Sequence, residues 1–288
     1  MIDSELYQSW LNALPMLLRK YAQRWRLEIL VPFENLSYNY AAPVRCTNST
    51  SAVIKIAFPN DEARVEIAAL RHFDGRSMVR LHKYNRADCV FLLERVIPGG
   101  SLWKTDDEQA TNIFLDLMPK LWHPYLGDYH FSRVEDWGKG FSRFKKRYVG
   151  GTGILDRKLV DKAERVFDEL LASSDDAVLL HGDLHHGNVL SAERQSYLAI
   201  DPKGVLGEQC YEVGAFLRNP IPDLLKKENP RAMMMRRVDQ IVERLGFDRQ
   251  RVIGWGMSQA VLAAIWCIED NASYKEELMG CAEILYSL

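Results

Sequence analysis

The spacing of apolar side chains changes character several times along the chain, and each change predicts an element. Residues 4–25 carry Leu6, Trp10, Leu14, Leu17, Leu18, Tyr21 and Trp25 at three- and four-residue intervals, the stripe of an amphipathic helix. Pro15 falls inside the stripe and predicts a kink or a division into two helices. Leu27–Pro32, Tyr38–Pro43 and Ser51–Phe58 follow as apolar segments of strand length. A helix from Pro59 to about His72 comes next, with Val65, Ala68, Ala69 and Phe73 inward. Ser77–Tyr84 and Cys89–Glu94 read as two more strands, joined at the charged turn Arg86-Ala-Asp88.

Beyond Pro98-Gly99-Gly100, a flexible exit from the last strand, the pattern is mostly helical. Thr105-Asp-Asp-Glu108 reads as a capping box for a helix to about Trp122. Phe141, Phe144 and Tyr148 share a helical face beside Arg143, Lys145, Lys146 and Arg147, and Leu155–Ala172 is strongly amphipathic. Ala232–Leu245, Arg249–Asp270 and Lys275–Tyr286 complete the chain, with Gly246 stopping the first and Asp248 capping the second. The sum is an α+β fold: five antiparallel strands with one main helix, then a mostly helical remainder.

One stretch breaks the helical run. Ala177–Leu180 is a short buried strand, after which LHGDLHHGN carries His181, Asp183, His185, His186 and Asn188 in a polar loop. Val189–Leu190 and Tyr197–Ile200 then deliver Asp201 at a strand end. An aspartate, an asparagine and a second aspartate in this order match the base and the two metal-binding residues of kinases. Phosphoryl transfer needs an acceptor oxygen in line, its proton taken up and phosphate charge neutralised. Asn188 and Asp201 offer hard oxygens to Mg²⁺, and Asp183 stays free to deprotonate a hydroxyl. The competing reading of HxDxHH as a zinc site fits poorly with an Asn and an Asp following at kinase spacing.

Lys55 stands in the apolar strand Ala52-Val-Ile-Lys-Ile-Ala57, where an ammonium needs a partner. Kinases use such a lysine to hold nucleotide phosphates and pair it with a glutamate of the next helix. Glu66, eleven residues later, is the first candidate, and Glu62, one turn earlier, is the alternative. No G-x-G-x-x-G occurs at Phe33–Tyr38, where Asn35 and Ser37 are the polar candidates for phosphate contact.

HGDLHHGNVL followed by IDPKG, together with EIAALRHFDG, LLERVIPGGSL and GEQCYEVGAFLR, resembles the aminoglycoside phosphotransferase-like kinases. The resemblance is to the branch of streptomycin 6-kinases and hydroxyurea phosphotransferases, and it covers about Ala52–Arg218. It implies a bilobal protein-kinase-like fold, with residues 1–97 as a nucleotide-binding lobe and 98–288 as a catalytic and acceptor-binding lobe. It further implies ATP and Mg²⁺ as cofactors and a small-molecule hydroxyl, in an antibiotic or a metabolite, as acceptor. In this frame Asp183 is the base and His181 braces its loop. Lys55 holds phosphates, Glu66 orients Lys55, and Asn188 and Asp201 bind metal. Main-chain groups of Glu94 and Val96 meet the adenine, Leu93 flanks its ring, and Glu212 has a structural role. His185 and His186 support the loop or contact the acceptor. Trp266, Glu269 and Asp270 stand where relatives have a segment near the acceptor pocket, and the two carboxylates suit a polycation by charge. The alternatives are a protein kinase, disfavoured by the short segment after Asp201, and a catalytically silent nucleotide-binding module.

Composition narrows the rest. The chain has 288 residues, with 37 basic against 39 acidic side chains, so nothing points to nucleic acid or an anionic membrane as partner. Five scattered cysteines without C-x-x-C spacing suggest a reducing, cytoplasmic setting. No signal-like start or run of eighteen apolar residues is evident. Monomer and homodimer stay equally open.

Overall fold

The computed structural model describes residues 4–34, 39–47, 49–174 and 177–288. It begins with one helix, α1 (Ser4–Trp25), uninterrupted at Pro15. Pro15 is exposed, while Trp10 and Tyr21 are buried against the sheet that follows. Packing of the apolar stripe outweighs the local cost of the proline, and the expected division does not occur.

That sheet has five antiparallel strands in the order β1-β2-β3-β5-β4: β1 (Leu27–Ile29), β2 (Tyr40–Cys46), β3 (Ser51–Ile56), β4 (Leu81–Asn85) and β5 (Val90–Glu94). Strand alternation divides its side chains between two faces. Ala52, Ile54 and Ile56 of β3, with Val90 and Leu92 of β5, lie in a cluster with Trp10 and Tyr21 of α1. Phe91 and Leu93 face the opposite way and join the main core. Lys55, directly opposite Phe91 in the ladder, belongs to that second face. α2 (Asp61–Phe73) packs there through Ile67, Leu70 and Phe73, its first turn capped by Asn60.

The chain leaves β5 through β6 (Pro98–Ser101), which pairs with β8 (Val189–Ala192) rather than forming a free linker. Two small ladders then set the loops of interest. β7 (Val178–Leu180) pairs with β10 (Val205–Gly207), and β8 pairs with β9 (Tyr197–Ala199). His181–Asn188 therefore spans from β7 to β8, and Ile200–Gly204 spans from β9 to β10. Gly204, at φ +67°, lies so near α2 that a Cβ there would sit 3.0 Å from the Ala69 methyl.

Helices make up the rest: α3 (Asp107–Leu117), α4 (Val134–Arg147), α5 (Arg157–Ala172), α6 (Val213–Leu217), α7 (Pro230–Leu245), α8 (Arg249–Glu269) and α9 (Lys275–Tyr286). The cap of α3 is Asp106, not Thr105: its carboxylate accepts the N–H groups of Glu108 and Gln109. α3 also ends at Leu117, where a 3₁₀ turn over Met118–Lys120 carries Pro119. Gly246 and Asp248 act as expected at the α7–α8 junction. By length and composition α8 could cross a membrane, but 72% of its apolar window is buried inside the protein. It is the central helix of the core, apolar around its circumference because neighbours surround it.

Candidate active site

The face of β3 that carries Lys55 meets the ends of both loops. Lys55 Nζ lies 2.7 Å from Glu66 Oε1 and 3.1 Å from Asp201 Oδ1, joining the sheet, α2 and the β9–β10 loop through one ammonium. Glu62 instead pairs with Lys203, which resolves the choice between the two glutamates. Burial alone would lower the Lys55 pKa, but the Asp201 and Glu66 carboxylates outweigh it and hold the ammonium above the ordinary lysine value. Burial pushes Glu66 up to about 6 against the pull of Lys55, so at neutral pH the pair remains charged.

Asp183 is anchored from three sides. Its carbonyl accepts the Asn188 amide N–H at 2.9 Å, and its Oδ1 accepts Arg218 Nη2 at 3.0 Å. Its Oδ2 stands 3.7 Å from His185 Nε2. Burial would raise the Asp183 carboxyl, yet His185, Arg218 and Lys203 more than offset it and keep it below the usual carboxylate range. The group is thus ionised at neutral pH. Asp201 behaves likewise: burial opposes ionisation, and Lys55 and Lys203 prevail. Its backbone adopts φ +56°, and its side chain is half exposed.

The loop is held from behind by buried groups. His181 is fully buried; its Nε2–H donates to Ile200 O at 2.8 Å, and its Nδ1 accepts the Asp183 N–H at 3.2 Å. With both ring nitrogens engaged, it is a brace between the two loops and not a free ligand. Burial lowers its pKa to about 4, so it is neutral. Glu212 accepts the N–H groups of His181 and Gly182 at 2.7 and 2.9 Å, and burial pushes its carboxyl up to about 7. His186 is buried and stacks on Phe216 at 4.6 Å between centroids, beside the fully buried Arg237. Arg237 donates to Asp107, Phe216 O and Asn219 O, so this layer is structural. His185 is the histidine that faces the carboxylate; its Nδ1 accepts the Gly187 N–H at 3.0 Å.

A cavity of about 400 Å³ opens beside Lys55 and Asp201, walled by Val53 and Leu93 of the sheet and by Leu190 and Ile200 of the opposite hairpin. Val96 and Glu94 also line it. The Glu94 N–H is already given to Arg80 O, and its carboxylate is gripped by Arg194. A separate cavity of about 500 Å³, between the end of α2 and β4, shares none of these residues. Ser37 and Asn35 lie outside the described residues.

The tail residues engage other partners. Glu269 forms a two-bond pair with Arg143 of α4, at 2.9 and 2.8 Å, and Asp270 ends α8 on the surface. Trp266 packs edge-on to Trp137 at 5.7 Å, and Trp137 in turn backs Gly182. Lys145 of the same basic cluster is engaged by Asp161 and Glu164. Arg218 and Lys203 are the residues that sequence reasoning overlooked. Their hint is position: Arg218 ends GEQCYEVGAFLR, and Lys203 stands between Asp201 and Gly204 in IDPKG.

An antiparallel sheet whose lysine reaches a helix glutamate and a loop aspartate, with a second loop that carries Asp183 and Asn188, is the architecture of a phosphotransferase with the protein-kinase-like fold. The comparisons agree with that class. The model of the aminoglycoside/hydroxyurea antibiotic resistance kinases matches residues 24–271. Streptomycin 6-kinase of Streptomyces glaucescens is 30% identical over 274 residues, covering 92% of this chain and 87% of its own. Hydroxyurea phosphotransferase of Kitasatospora aureofaciens is 28% identical over 290 residues, covering 96% and 80%. Among solved structures, a thermostable aminoglycoside phosphotransferase with ADP and hygromycin B superposes with a TM-score of 0.63 at 12% identity, covering 93% of this chain and 97% of that one. Choline kinase from Streptococcus pneumoniae gives 0.66 at 11%, covering 96% and 100%. These structural likenesses carry the fold. The chain belongs to the aminoglycoside/hydroxyurea antibiotic resistance kinase family. It is an ATP-dependent small-molecule phosphotransferase, and the protein-kinase alternative is not favoured.

Proposed function

We propose that the protein transfers the γ-phosphoryl group of Mg·ATP to a hydroxyl of a streptomycin-like aminocyclitol, of hydroxyurea or of a related metabolite. The observation that carries this reading is the Lys55 ammonium shared by Glu66 and Asp201, with Asp183 and Asn188 on the adjoining loop. Residues 1–97 form the nucleotide-binding lobe and 98–288 the catalytic and acceptor-binding lobe. The adenine lies between Val53, Leu93 and Leu190, and Val96 offers main-chain groups that have no partner among the described residues. Glu94 contributes through its carbonyl. Lys55 binds the phosphates and Glu66 orients it.

Asn188 and Asp201 suit Mg²⁺. The Asn188 amide nitrogen is spent on Asp183 O, which leaves its oxygen to a cation, and Asp201 adds a half-exposed carboxylate. The ion would supply charge neutralisation to the phosphates. Asp183 orients the acceptor hydroxyl and takes its proton; His181 keeps the carboxylate's backbone in place, and His185 borders the acceptor. Asp270 and Glu269 are acceptor contacts for a cationic substrate, Glu269 after release from Arg143. The free thiols of Cys46, Cys89, Cys210, Cys267 and Cys281 support a cytosolic setting.

The test is transfer of label from Mg·[γ-³²P]ATP to streptomycin, other aminoglycosides, hydroxyurea and a metabolite extract, resolved by mass spectrometry. A labelled small molecule, absent with Asp183→Asn, is the expected result. Label on protein alone overturns the proposal.

A further inference from the structure

We propose that Lys203 is a further catalytic cation, parked on Glu62 in the free enzyme, that meets the phosphoryl group in transit. The inference rests on the phosphotransferase reading above and deepens it. Lys203 begins its reach inside the site. Its N–H donates to His181 O at 2.8 Å, and its Cβ lies 3.4 Å from where Gly182 would carry one, next to Asp183. Two residues earlier is Asp201. At the far end Nζ pairs with Glu62, one turn before Glu66 on α2, and Glu66 is joined through Lys55 to Asp201. The arm thus runs from the residue beside Asp183 toward the helix that backs Lys55 and Asp201. Its field reaches both carboxylates, helping to keep Asp183 and Asp201 ionised.

Magnitude decides what the Glu62 pair is for. The two side chains are 43% and 58% exposed, and an exposed ion pair shifts an equilibrium by about fivefold at most. That is too little to hold α2, which is already fixed by the buried Lys55–Glu66 pair and by Ile67, Leu70 and Phe73. A weak, exposed partner is one that a phosphate dianion can outcompete. The other nearby cations are committed more deeply: Lys55 is buried between two carboxylates, and Arg218 bonds Asp183. In the transfer, the acceptor oxygen forms the new O–P bond while the bond from the γ-phosphorus to the β,γ-bridging oxygen breaks. That electron pair leaves with ADP, and the hydroxyl proton goes to Asp183. Lys203 stays an ammonium throughout and stabilises the charge on the equatorial oxygens.

The experiment compares parent, Lys203→Met, Lys203→Arg and Glu62→Gln in Mg·ATP turnover, measured as ADP release with water, streptomycin or hydroxyurea as acceptor. Mg·ATP affinity is measured alongside by calorimetry. Lys203→Met should lower kcat by about 100-fold or more while Mg·ATP affinity changes by about threefold or less. Lys203→Arg should recover about tenfold of that loss, and Glu62→Gln should keep or exceed the parent kcat. Equal losses in Lys203→Met and Glu62→Gln would make the pair a structural latch and overturn the inference. A loss confined to affinity would overturn it as well. No ADP release from the parent with any acceptor, despite Mg·ATP binding, would instead sink the phosphotransferase reading and this inference with it.

Discussion

Glu212 offers the sharpest check on how the catalytic loop is held. Its carboxylate is 1% exposed and receives two N–H groups, from His181 and Gly182, immediately before Asp183. Replacing it with Ala leaves both donors buried and unpaired, and each such donor costs about 1–3 kcal/mol. Removing the carboxylate also relieves the burial that pushes its pKa up to about 7, which returns part of that cost. The expected net loss for Glu212→Ala is therefore about 2–4 kcal/mol. Glu212→Gln keeps one acceptor and turns an NH₂ toward the second donor, so its loss should be about half of that, roughly 1–2 kcal/mol. Urea denaturation followed by tryptophan fluorescence gives both values, with an unchanged denaturant slope as the sign that only stability has moved. Activity should fall further than stability explains, because the loosened backbone is the one that carries Asp183. Both variants within about 0.5 kcal/mol of the parent, with parent kcat, would refute the idea that this carboxylate sets the loop.

Other perturbations test other joints of the site. Asp183→Asn should abolish acceptor phosphorylation, by about 1000-fold or more, yet keep Mg·ATP affinity by calorimetry within a few fold. Lys55→Met should weaken nucleotide binding and turnover together and leave Glu66 buried without its cation, costing about 3 kcal/mol of stability in a melting experiment. His181, held near pKa 4 by burial against an unfolded value near 6.5, is neutral in the native state. The unfolded chain binds a proton that the native chain refuses below pH 6.5, so this contribution is complete above 6.5 and lost as pH falls toward 4. It amounts to about 3 kcal/mol, and His181→Gln should remove that part of the pH–stability slope. Gly204→Ala should destabilise by about 1–3 kcal/mol, because its φ is +67° and its Cβ would press on Ala69 and Phe131; an unchanged melting temperature would count against so close an approach of this loop to α2.

What could be read in the sequence follows the range of the interactions involved. Lys55 and Glu66 were legible because each is placed by a local period: strand alternation turns Lys55 away from Ile54 and Ile56, and helical spacing turns Glu66 inward beside Ile67 and Leu70. Asp183, Asn188 and Asp201 were legible because short apolar strands flank them and fix their order. Asp106 shows the limit of a motif reading, since two adjacent residues fit a cap and only the backbone's turn into α3 chooses between them. Pro15 shows tertiary packing overriding a local rule. Arg218 and Glu269 lie at the other extreme. Arg218 meets a carboxylate 35 positions back and Arg143 meets Glu269 across 126, and no pattern along the chain announces either contact. Such distant pairs set the charge beside Asp183 and at the end of α8: Arg218 meets Asp183, while Glu269 is neutralised by Arg143. A chain can therefore display its reaction class in two loops and leave its choice of acceptor to contacts that only the folded protein assembles.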